Sequence, residues 1–219
     1  LRDEKIAEEN IFVTGNTVVD ALQYFSALLK PGTALHEQTA ARFASLNPKK
    51  KLILVTMHRR ENFDGGVENV CRALRKLAAR DDVEIYLPVH LNPNVRTPIQ
   101  ALLANHPAIH LGEPLDYVAF LYLMQRAHFI ISDSGGVQEE APSLKKPVLV
   151  TRNTTERPEG MRANAVKLVG TDTGVIYEQA TALLDDLVIY ASMQQAEQLY
   201  GDGRAAERIV AHLLARHGY

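Results

Sequence analysis

Short apolar runs alternate along this chain with longer stretches in which apolar residues recur every three or four positions. The short runs predict strands at 11–14, 52–56, 83–87, 109–111, 128–131, 147–150 and 166–169. The longer stretches predict helices at 18–29, 33–46, 67–80, 95–104, 116–127, 174–187, 189–200 and 204–217, with a further helix around Glu139. Repeated alternation of this kind is typical of a parallel sheet that carries helices on both faces. The sequence therefore predicts an α/β fold with a doubly wound parallel sheet.

Composition narrows the class of protein. Hydrophobic residues make up 46% and charged residues 23% of 219 positions, which is ordinary for a globular protein with its own core. The net charge of −2 gives no reason to expect nucleic acid or a membrane surface as a partner, and no apolar run approaches the roughly 20 residues of a membrane helix. Cys71 is the only cysteine, which excludes an intrachain disulfide and favours a reducing compartment such as the cytoplasm. No histidine pair has zinc-site spacing, and neither a metal nor a cofactor is expected.

A glycine turn follows the predicted strand at 128–131. Ser134, Gly135 and Gly136 stand between that strand and a predicted helix start. Glycine lets the backbone approach a ligand closely, and the unpaired N–H groups of a helix start attract anions. The turn therefore predicts a phosphate site, and either Glu139 or Glu140 is placed to reach a ribose hydroxyl. Together these features suggest nucleotide binding.

Other polar residues also follow predicted strands, where open α/β sheets bind their ligands. His58 comes after 52–56 and is a candidate to donate to a phosphate or act as a general acid, although a surface loop histidine is the plainer interpretation. Arg157 follows 147–150 and is a candidate phosphate ligand, unless it only pairs with a neighbouring glutamate in its loop. His90 follows 83–87 and is a less secure candidate for a site residue, because no second metal ligand lies close to it in the sequence. Cys71 is expected to be a packed core thiol.

Two adjacent arginines follow His58, and the sequence does not distinguish them. One of Arg59 and Arg60 is expected to face the site while the other pairs with Glu61 in solvent.

Several segments together resemble the non-hydrolysing UDP-N-acetylglucosamine 2-epimerases. They include Thr-Met-His-Arg-Arg-Glu-Asn-Phe at 56–63 and Thr-Thr-Glu-Arg-Pro-Glu at 154–159. The remaining segments lie at 12–21, 88–93, 113–117, 133–144 and 200–203. They occur in the order of that family over nearly the whole chain, which makes the resemblance specific.

The resemblance implies a Rossmann-like domain, the C-terminal half of the two-domain architecture shared with GT-B glycosyltransferases. By the same resemblance, Ser134, Gly135 and Gly136 bind the diphosphate, and Glu140 binds the ribose hydroxyls. Phe120 and the backbone near Leu115 hold uracil. His58 and Arg157 lie close to the phosphates, with His58 important for catalysis. His90 resembles a residue that helps to bind a second, activating substrate molecule in some members.

The family's reaction interconverts UDP-N-acetylglucosamine and UDP-N-acetylmannosamine by eliminating UDP and adding it back. The expected organisation is a connector and first strand at 1–16, a UDP-binding domain at 17–203, and a helix at 204–219 that crosses towards an N-terminal domain absent from this sequence. The acid and base carboxylates are expected on that other domain, so the chain alone is expected to bind UDP weakly without epimerising. The full-length protein is expected to be a homodimer.

The sequence departs from the family pattern at a few positions. Met57 stands where a small residue is common, and Lys145 stands where a glycine often ends the helix, a position that can require a left-handed backbone. The segment 160–164 also differs from the usual sequence.

Two other classes of function compete with this one. A GT-B glycosyltransferase would share the phosphate turn and the ribose glutamate, but the His58 loop and the 154–159 loop argue against it. A nucleotide-binding module without chemistry is the other alternative. A dinucleotide-binding domain for NAD is disfavoured, because no Gly-x-Gly-x-x-Gly follows the first strand.

Overall fold

The computed structural model describes residues 2–195 and 199–217. Six parallel strands form one sheet in the order β3-β2-β1-β4-β5-β6. The strands are β1 (Lys51–Thr56), β2 (Val83–Pro88), β3 (Ile109–Gly112), β4 (Phe129–Ser132), β5 (Val148–Val150) and β6 (Val166–Leu168). This order is that of a Rossmann-like sheet, and the predicted doubly wound fold is confirmed.

Helices connect the strands and cover the sheet. They are α1 (Thr17–Leu28), α2 (Ala34–Arg42), α3 (Gly66–Ala78), α4 (Pro93–Leu103), α5 (Tyr117–Arg126), α6 (Gly135–Glu140), α7 (Pro158–Arg162), α8 (Thr173–Asp185), α9 (Leu187–Met193) and α10 (Ala205–His217). Short 3₁₀ turns lie at Glu8–Asn10, Arg60–Asn62 and Ala141–Leu144. None of these helices, over the part of the chain that the structure describes, is long and apolar enough to cross a membrane.

The core lies on both faces of the sheet because successive strand residues point to opposite sides. Ile53 and Val55 of β1 pack with α3, α4 and α8 on one face, whereas Leu52 and Leu54 pack with α1 and α5 on the other. A central strand must therefore be apolar throughout, as β1 is between its two ends. Cys71 of α3 is buried in the first of these clusters, where burial raises the pKa of its thiol to about 12. Its prediction as a core thiol is confirmed.

The strand order reverses between β1 and β4, which lie side by side with Thr56 opposite Ser132. The connections from these two strands leave to opposite faces of the sheet, so a crevice opens beyond their carboxyl ends. The Thr56 and Ser132 hydroxyls lie 2.7 Å apart at the base of that crevice. The loop that begins at His58 and the turn at 134–136 both start from this point.

The predicted strand at 11–14 is wrong. The segment is irregular, with Val13 91% exposed, and no strand of the described ranges pairs with it. A short apolar run forms a strand only where a neighbouring strand offers its free backbone groups. Here the Phe12 ring instead contacts the tilted ring of His212 in α10, and the Thr14 carbonyl accepts a hydrogen bond from Arg208.

The C-terminal helices agree in part with the prediction. Helix α9 ends at Met193 rather than near Tyr200, and residues 196–198 of the predicted helix lie outside the described residues. Helix α10 forms where predicted, and the Asp20 carboxylate of α1 accepts hydrogen bonds from the first N–H groups of α10 at Ala205 and Ala206. Lys145 takes the left-handed conformation expected at this glycine position, with φ +56°.

Candidate functional site

Asp133, directly after β4, organises the loop that follows β1. Its carboxylate is fully buried and accepts hydrogen bonds from the backbone N–H groups of His58 at 2.9 Å and Arg59 at 2.8 Å. The His58 ring nitrogen Nδ1 lies 2.8 Å from Asp133 Oδ1. The His58 ring is therefore held against the start of the glycine turn, with its side chain still 38% exposed.

Asn62 closes the same arrangement from the other side. Its amide Nδ2 donates to Asp133 Oδ2 and to the carbonyl of Thr151, each at 3.2 Å. One buried amide thus joins the ends of β1, β4 and β5. Burial raises the pKa of Asp133, but the hydrogen bonds from the His58 ring and from two backbone N–H groups outweigh it, so this pKa lies below its ordinary value.

Sequence reasoning missed both Asp133 and Asn62 as site residues. The available signal was that an acidic residue lies two positions after the apolar run 129–131, at the end of a predicted strand. A carboxylate at the end of a buried strand needs hydrogen-bond donors close by.

The turn at 134–136 opens α6 without a side-chain cap from Ser134. Instead, the Ser134 N–H donates to Ser132 Oγ at 2.9 Å, and the Ser134 carbonyl accepts from Gln138 at 3.1 Å. Gly135 is buried, and a Cβ added there would lie 3.0 Å from the Arg157 guanidinium carbon. Glycine at 135 is what lets that guanidinium pack against the turn.

Arg157 is held over the turn by carboxylates on both sides. Its Nε donates to Glu139 Oε1 at 2.8 Å, and its Nη1 lies 3.3 Å from Glu156 Oε2. Asn16 donates to the second Glu139 oxygen at 3.0 Å. Hydrogen bonding to Glu139 raises the pKa of Arg157 above its ordinary value. The loop ion pair considered from the sequence is therefore present, and it coexists with a position beside Gly135.

The 151–157 loop is fixed from below by buried polar side chains. Thr155 donates to Gln138 Oε1 at 2.6 Å, and the Arg157 N–H donates to Thr155 Oγ1 at 3.0 Å. Arg152 is buried and bonds Glu61 at 2.6 Å and Glu156 at 2.9 Å. The Arg152 bond lowers the pKa of Glu156 to about 2. These contacts fix the position of the Arg157 backbone relative to the turn at 134–136.

The two adjacent glutamates of α6 occupy different surroundings. Glu139 is engaged by Arg157 and Asn16, whereas Glu140 is buried beside the Tyr117 hydroxyl. Burial raises the pKa of Glu140, with Tyr117 opposing and Glu139 adding to the rise. The Tyr117 oxygen makes no hydrogen bond of good geometry to a described residue. Of the two glutamates, Glu140 is the one whose oxygens are not already engaged by cations or amides.

A small cavity of about 170 Å³ adjoins His58. Its lining includes His58, His90 and Leu115, so three of the predicted site residues meet there. The rings of His58 and His90 lie 6.2 Å apart, and His90 Nδ1 accepts a hydrogen bond from the Asn92 N–H. Phe120 of α5 is half-buried and packs in the same cluster as Leu115.

The two adjacent arginines have distinct positions. Arg59 turns inwards, where its Nε donates to the Asp133 carbonyl at 3.3 Å, whereas Arg60 is exposed. Glu61 pairs with Arg152 rather than with either neighbour, so the expected pairing with Glu61 is wrong. Glu61 pairs with Arg152 and not with the adjacent Arg60 because the Arg152 guanidinium is buried, and a buried charge without a partner costs more free energy than an exposed one.

Comparison with known proteins gives consistent matches. The profile of the UDP-N-acetylglucosamine 2-epimerase family matches residues 1–214. The UDP-N-acetylglucosamine 2-epimerase of Escherichia coli K12 is 48% identical over 211 residues, which are 96% of this chain and 56% of that protein. This chain therefore spans just over half the length of that relative.

Solved structures agree. The Neisseria meningitidis epimerase, bound to UDP-GlcNAc, matches with a TM-score of 0.93 at 46% identity over 98% of this chain and 58% of that chain. The Methanocaldococcus jannaschii epimerase, in complex with UDP-GlcNAc and UDP, matches with a TM-score of 0.80 at 31% identity over 98% of this chain and 57% of that one. The family profile covers nearly the whole sequence and the fold is shared, so this chain belongs to the UDP-N-acetylglucosamine 2-epimerase family.

Proposed function

We propose that this chain binds the UDP part of UDP-N-acetylglucosamine and serves in its interconversion with UDP-N-acetylmannosamine. One observation carries the proposal: His58 and Arg157 come from different loops, and the first contacts Asp133 directly before the turn at 134–136 while the second packs against Gly135 within it. Relatives with this fold have been solved with UDP-GlcNAc or UDP, which supports the same ligand class here.

The diphosphate is assigned to Ser134, Gly135 and Gly136. Free N–H groups at the start of a helix attract anions, and Arg157 supplies a guanidinium with several donors next to Gly135. His58 supplies a further donor from the β1 side when both ring nitrogens carry protons. A leaving UDP needs such preorganised stabilisation of developing charge.

The nucleoside is assigned to the β3 and α5 side of the crevice. Glu140 is a buried acceptor for the ribose hydroxyls, because its oxygens are not engaged by other charged groups. The uracil is assigned to Phe120 and the backbone near Leu115. His90, across the cavity from His58, is assigned to a second, activating substrate molecule.

The proposed reaction is an elimination followed by an addition, with UDP as the leaving group. Loss of the C2 proton and of UDP from C1 gives an unsaturated acetamido sugar, and addition of UDP with a proton on the opposite face of C2 gives the epimer. Of the residues in this chain, His58 is assigned to assist that step. The groups that move the C2 proton are assigned to a part of the relatives that this chain does not match, so these residues alone are expected not to epimerise.

The proposed organisation keeps a connector at 1–16, the UDP-binding domain at 17–203 and a C-terminal segment at 204–219 that meets another domain. Residues 218 and 219 lie outside the described residues, and most of the rest of that segment forms the helix α10. That helix exposes Val210, Leu213 and Leu214. The whole protein is proposed to be a cytoplasmic homodimer, on the family resemblance and, for the compartment, the single reduced thiol of Cys71.

Calorimetric titration of UDP into this chain tests the proposal, with GDP as the control nucleotide. We expect weak, saturable binding of UDP and a lower affinity for GDP, because the site beside Phe120 and Leu115 is assigned to uracil. Equal affinity for UDP and GDP would contradict the assignment of uracil to Phe120 and Leu115. Turnover of UDP-N-acetylglucosamine by this chain alone would contradict the assignment of the proton-transfer groups to another part of the protein.

A further inference from the structure

We propose that Asp133 is a positioning residue that locks the neutral His58 ring in the tautomer protonated on Nδ1, so that Nε2 is the nitrogen presented to the ligand. The proposal concerns a residue to which the site assignments above give no role, and its functional consequence rests on the proposed function. It is carried by the hydrogen bonds around one buried carboxylate.

The two oxygens of Asp133 have different partners. Oδ2 accepts from the Arg59 N–H at 2.8 Å, the His58 N–H at 2.9 Å and Asn62 Nδ2 at 3.2 Å. Oδ1 lies 2.8 Å from His58 Nδ1 and 3.1 Å from the His58 N–H. The carboxylate therefore has four partner atoms, and three of them are N–H groups that can only donate. Asp133 must accept hydrogen bonds from these three.

The fourth partner, His58 Nδ1, is the one atom whose role is not fixed by its chemistry. An ionised carboxylate has only acceptors, and the pKa of Asp133 lies below its ordinary value. Nδ1 must therefore carry a proton to make the 2.8 Å contact. In the neutral ring this leaves Nε2 with its lone pair, and in the charged ring it leaves Nε2–H as the donor.

The position of the ring gives this assignment its functional meaning. The ring is partly exposed and lines the cavity beside Leu115, while Nδ1 faces the buried carboxylate. Nε2 is then the only ring nitrogen that a bound molecule reaches. A ring free to exchange tautomers would present a mixture of donor and acceptor at this point.

Asparagine at position 133 should reverse the tautomer. The single amide oxygen is needed where Oδ2 now accepts from Arg59, His58 and Asn62, which places the NH₂ group opposite His58 Nδ1. That NH₂ can only donate, so Nδ1 must give up its proton and Nε2 must carry it. The Oδ2 position faces three donors, whereas the Oδ1 position faces only the His58 N–H besides the ring, so the amide oxygen is favoured at the Oδ2 position.

Long-range ¹H–¹⁵N correlation spectra of the whole chain test the proposal without any ligand. His58 is assigned by loss of its signals in His58→Gln, and spectra are recorded above the range in which histidine is charged. We expect the Nδ1–H tautomer in the wild type and the Nε2–H tautomer in Asp133→Asn. An Nε2–H tautomer or an unbiased mixture in the wild type overturns the proposal, even if Asp133→Asn does not fold.

Asn62→Ala is the matched control. It removes a donor to Asp133 and the tie to Thr151, but leaves the contact between Asp133 and the His58 ring. We expect a looser loop with the Nδ1–H tautomer unchanged. If Asn62→Ala shifts the tautomer as strongly as Asp133→Asn, the carboxylate only supports the loop and the proposal is wrong.

UDP titration separates this proposal from the proposed function. We expect Asp133→Asn to change UDP affinity in the wild-type background and to have no effect in a His58→Gln background, because Asp133 acts on the ligand only through the His58 ring. Additive losses would overturn the idea that Asp133 acts through His58. Absence of UDP binding by the wild type would count against the proposed function. The spectra recorded without ligand would still decide whether Asp133 fixes the His58 tautomer.

Discussion

The two edges of the sheet treat their polar side chains differently. At the amino-terminal edge, cations are matched to acceptors within the chain: Arg80 pairs with Asp82 and Asp185, and Lys51 donates to the Leu184 carbonyl. At the carboxyl-terminal edge, Glu140 is buried away from any cation, and the Tyr117 hydroxyl beside it makes no well-formed hydrogen bond to a described residue.

We infer from this difference that the paired groups at the amino-terminal edge stabilise the fold, whereas Glu140 and Tyr117 at the carboxyl-terminal edge are available to bind a ligand. A buried polar group without a good partner costs stability, so its presence at one edge calls for an explanation. A bound nucleotide would supply the missing partners. The comparison predicts that substitutions of the paired groups at the amino-terminal edge lower stability and leave UDP binding intact. Substitutions of the candidate ligand groups at the carboxyl-terminal edge, Glu140 and Arg157, should lower UDP affinity more than they lower stability.

The largest effect is expected for Arg157→Ala at the carboxyl-terminal edge. Losing a charged donor to a diphosphate should weaken UDP binding by about 10- to 100-fold, measured by calorimetry. Arg162→Ala is the control, since it removes the same charge from the neighbouring exposed end of α7. An equal loss in both variants would mean that Arg157 acts only through the general field of the surface.

Glu140→Gln should separate binding from stability at a single site. We expect UDP binding to fall about tenfold, because a ribose hydroxyl loses a charged acceptor. Unfolding by urea should show equal or higher stability, since the variant removes a buried ionisable group.

The pH dependence of Glu140 has a definite sign. Its folded pKa is raised, so the ionised form opposes folding, and stability falls as pH rises from the unfolded pKa, near 4.5, through the folded pKa. Glu140→Gln should flatten that part of the profile. A variant with unchanged UDP affinity would remove Glu140 from the site.

Arg80→Ala tests the amino-terminal edge. Its side chain is 27% exposed and holds two aspartates, so we expect a loss of about 0.5–1 kcal/mol in the free energy of unfolding. Arg80 holds the pKa of Asp82 below its ordinary value of 3.8, so this stabilisation is present at neutral pH and is lost as pH falls below about 4. UDP affinity should not change, and a loss of binding here would break the distinction between the edges.

The smallest effect is expected for Lys145→Gly, just before β5. Lys145 has φ +56°, where a side chain is strained and glycine is not. We expect thermal unfolding to show a gain of up to about 1 kcal/mol, reduced by the greater freedom of glycine in the unfolded chain. Lys145→Ala keeps the strain and should show no such gain, which distinguishes backbone relief from loss of charge.

Much of the fold was predictable because strands and helices are local patterns. The continuous run of buried residues along β1 is typical of a central strand, and the spacing of apolar residues along α3 is typical of a helix with one buried face. The segment at 11–14 shows the limit of this reasoning. Its residues suit a strand, yet whether a strand forms depends on a partner, and its neighbours in space are residues of α10.

The sequence by itself determined the six strands of the sheet and most of its helices in chain order, the glycine turn and the family, since these depend on residue types and their spacing. Only the tertiary structure decided that Asp133 holds the His58 ring, that Arg157 crosses Gly135 and that Glu139 rather than Glu140 is engaged by Arg157. Those contacts join residues far apart in the chain. They depend on strand register and on how each loop leaves the sheet, and a difference of one residue in either would bring together a different set of side chains.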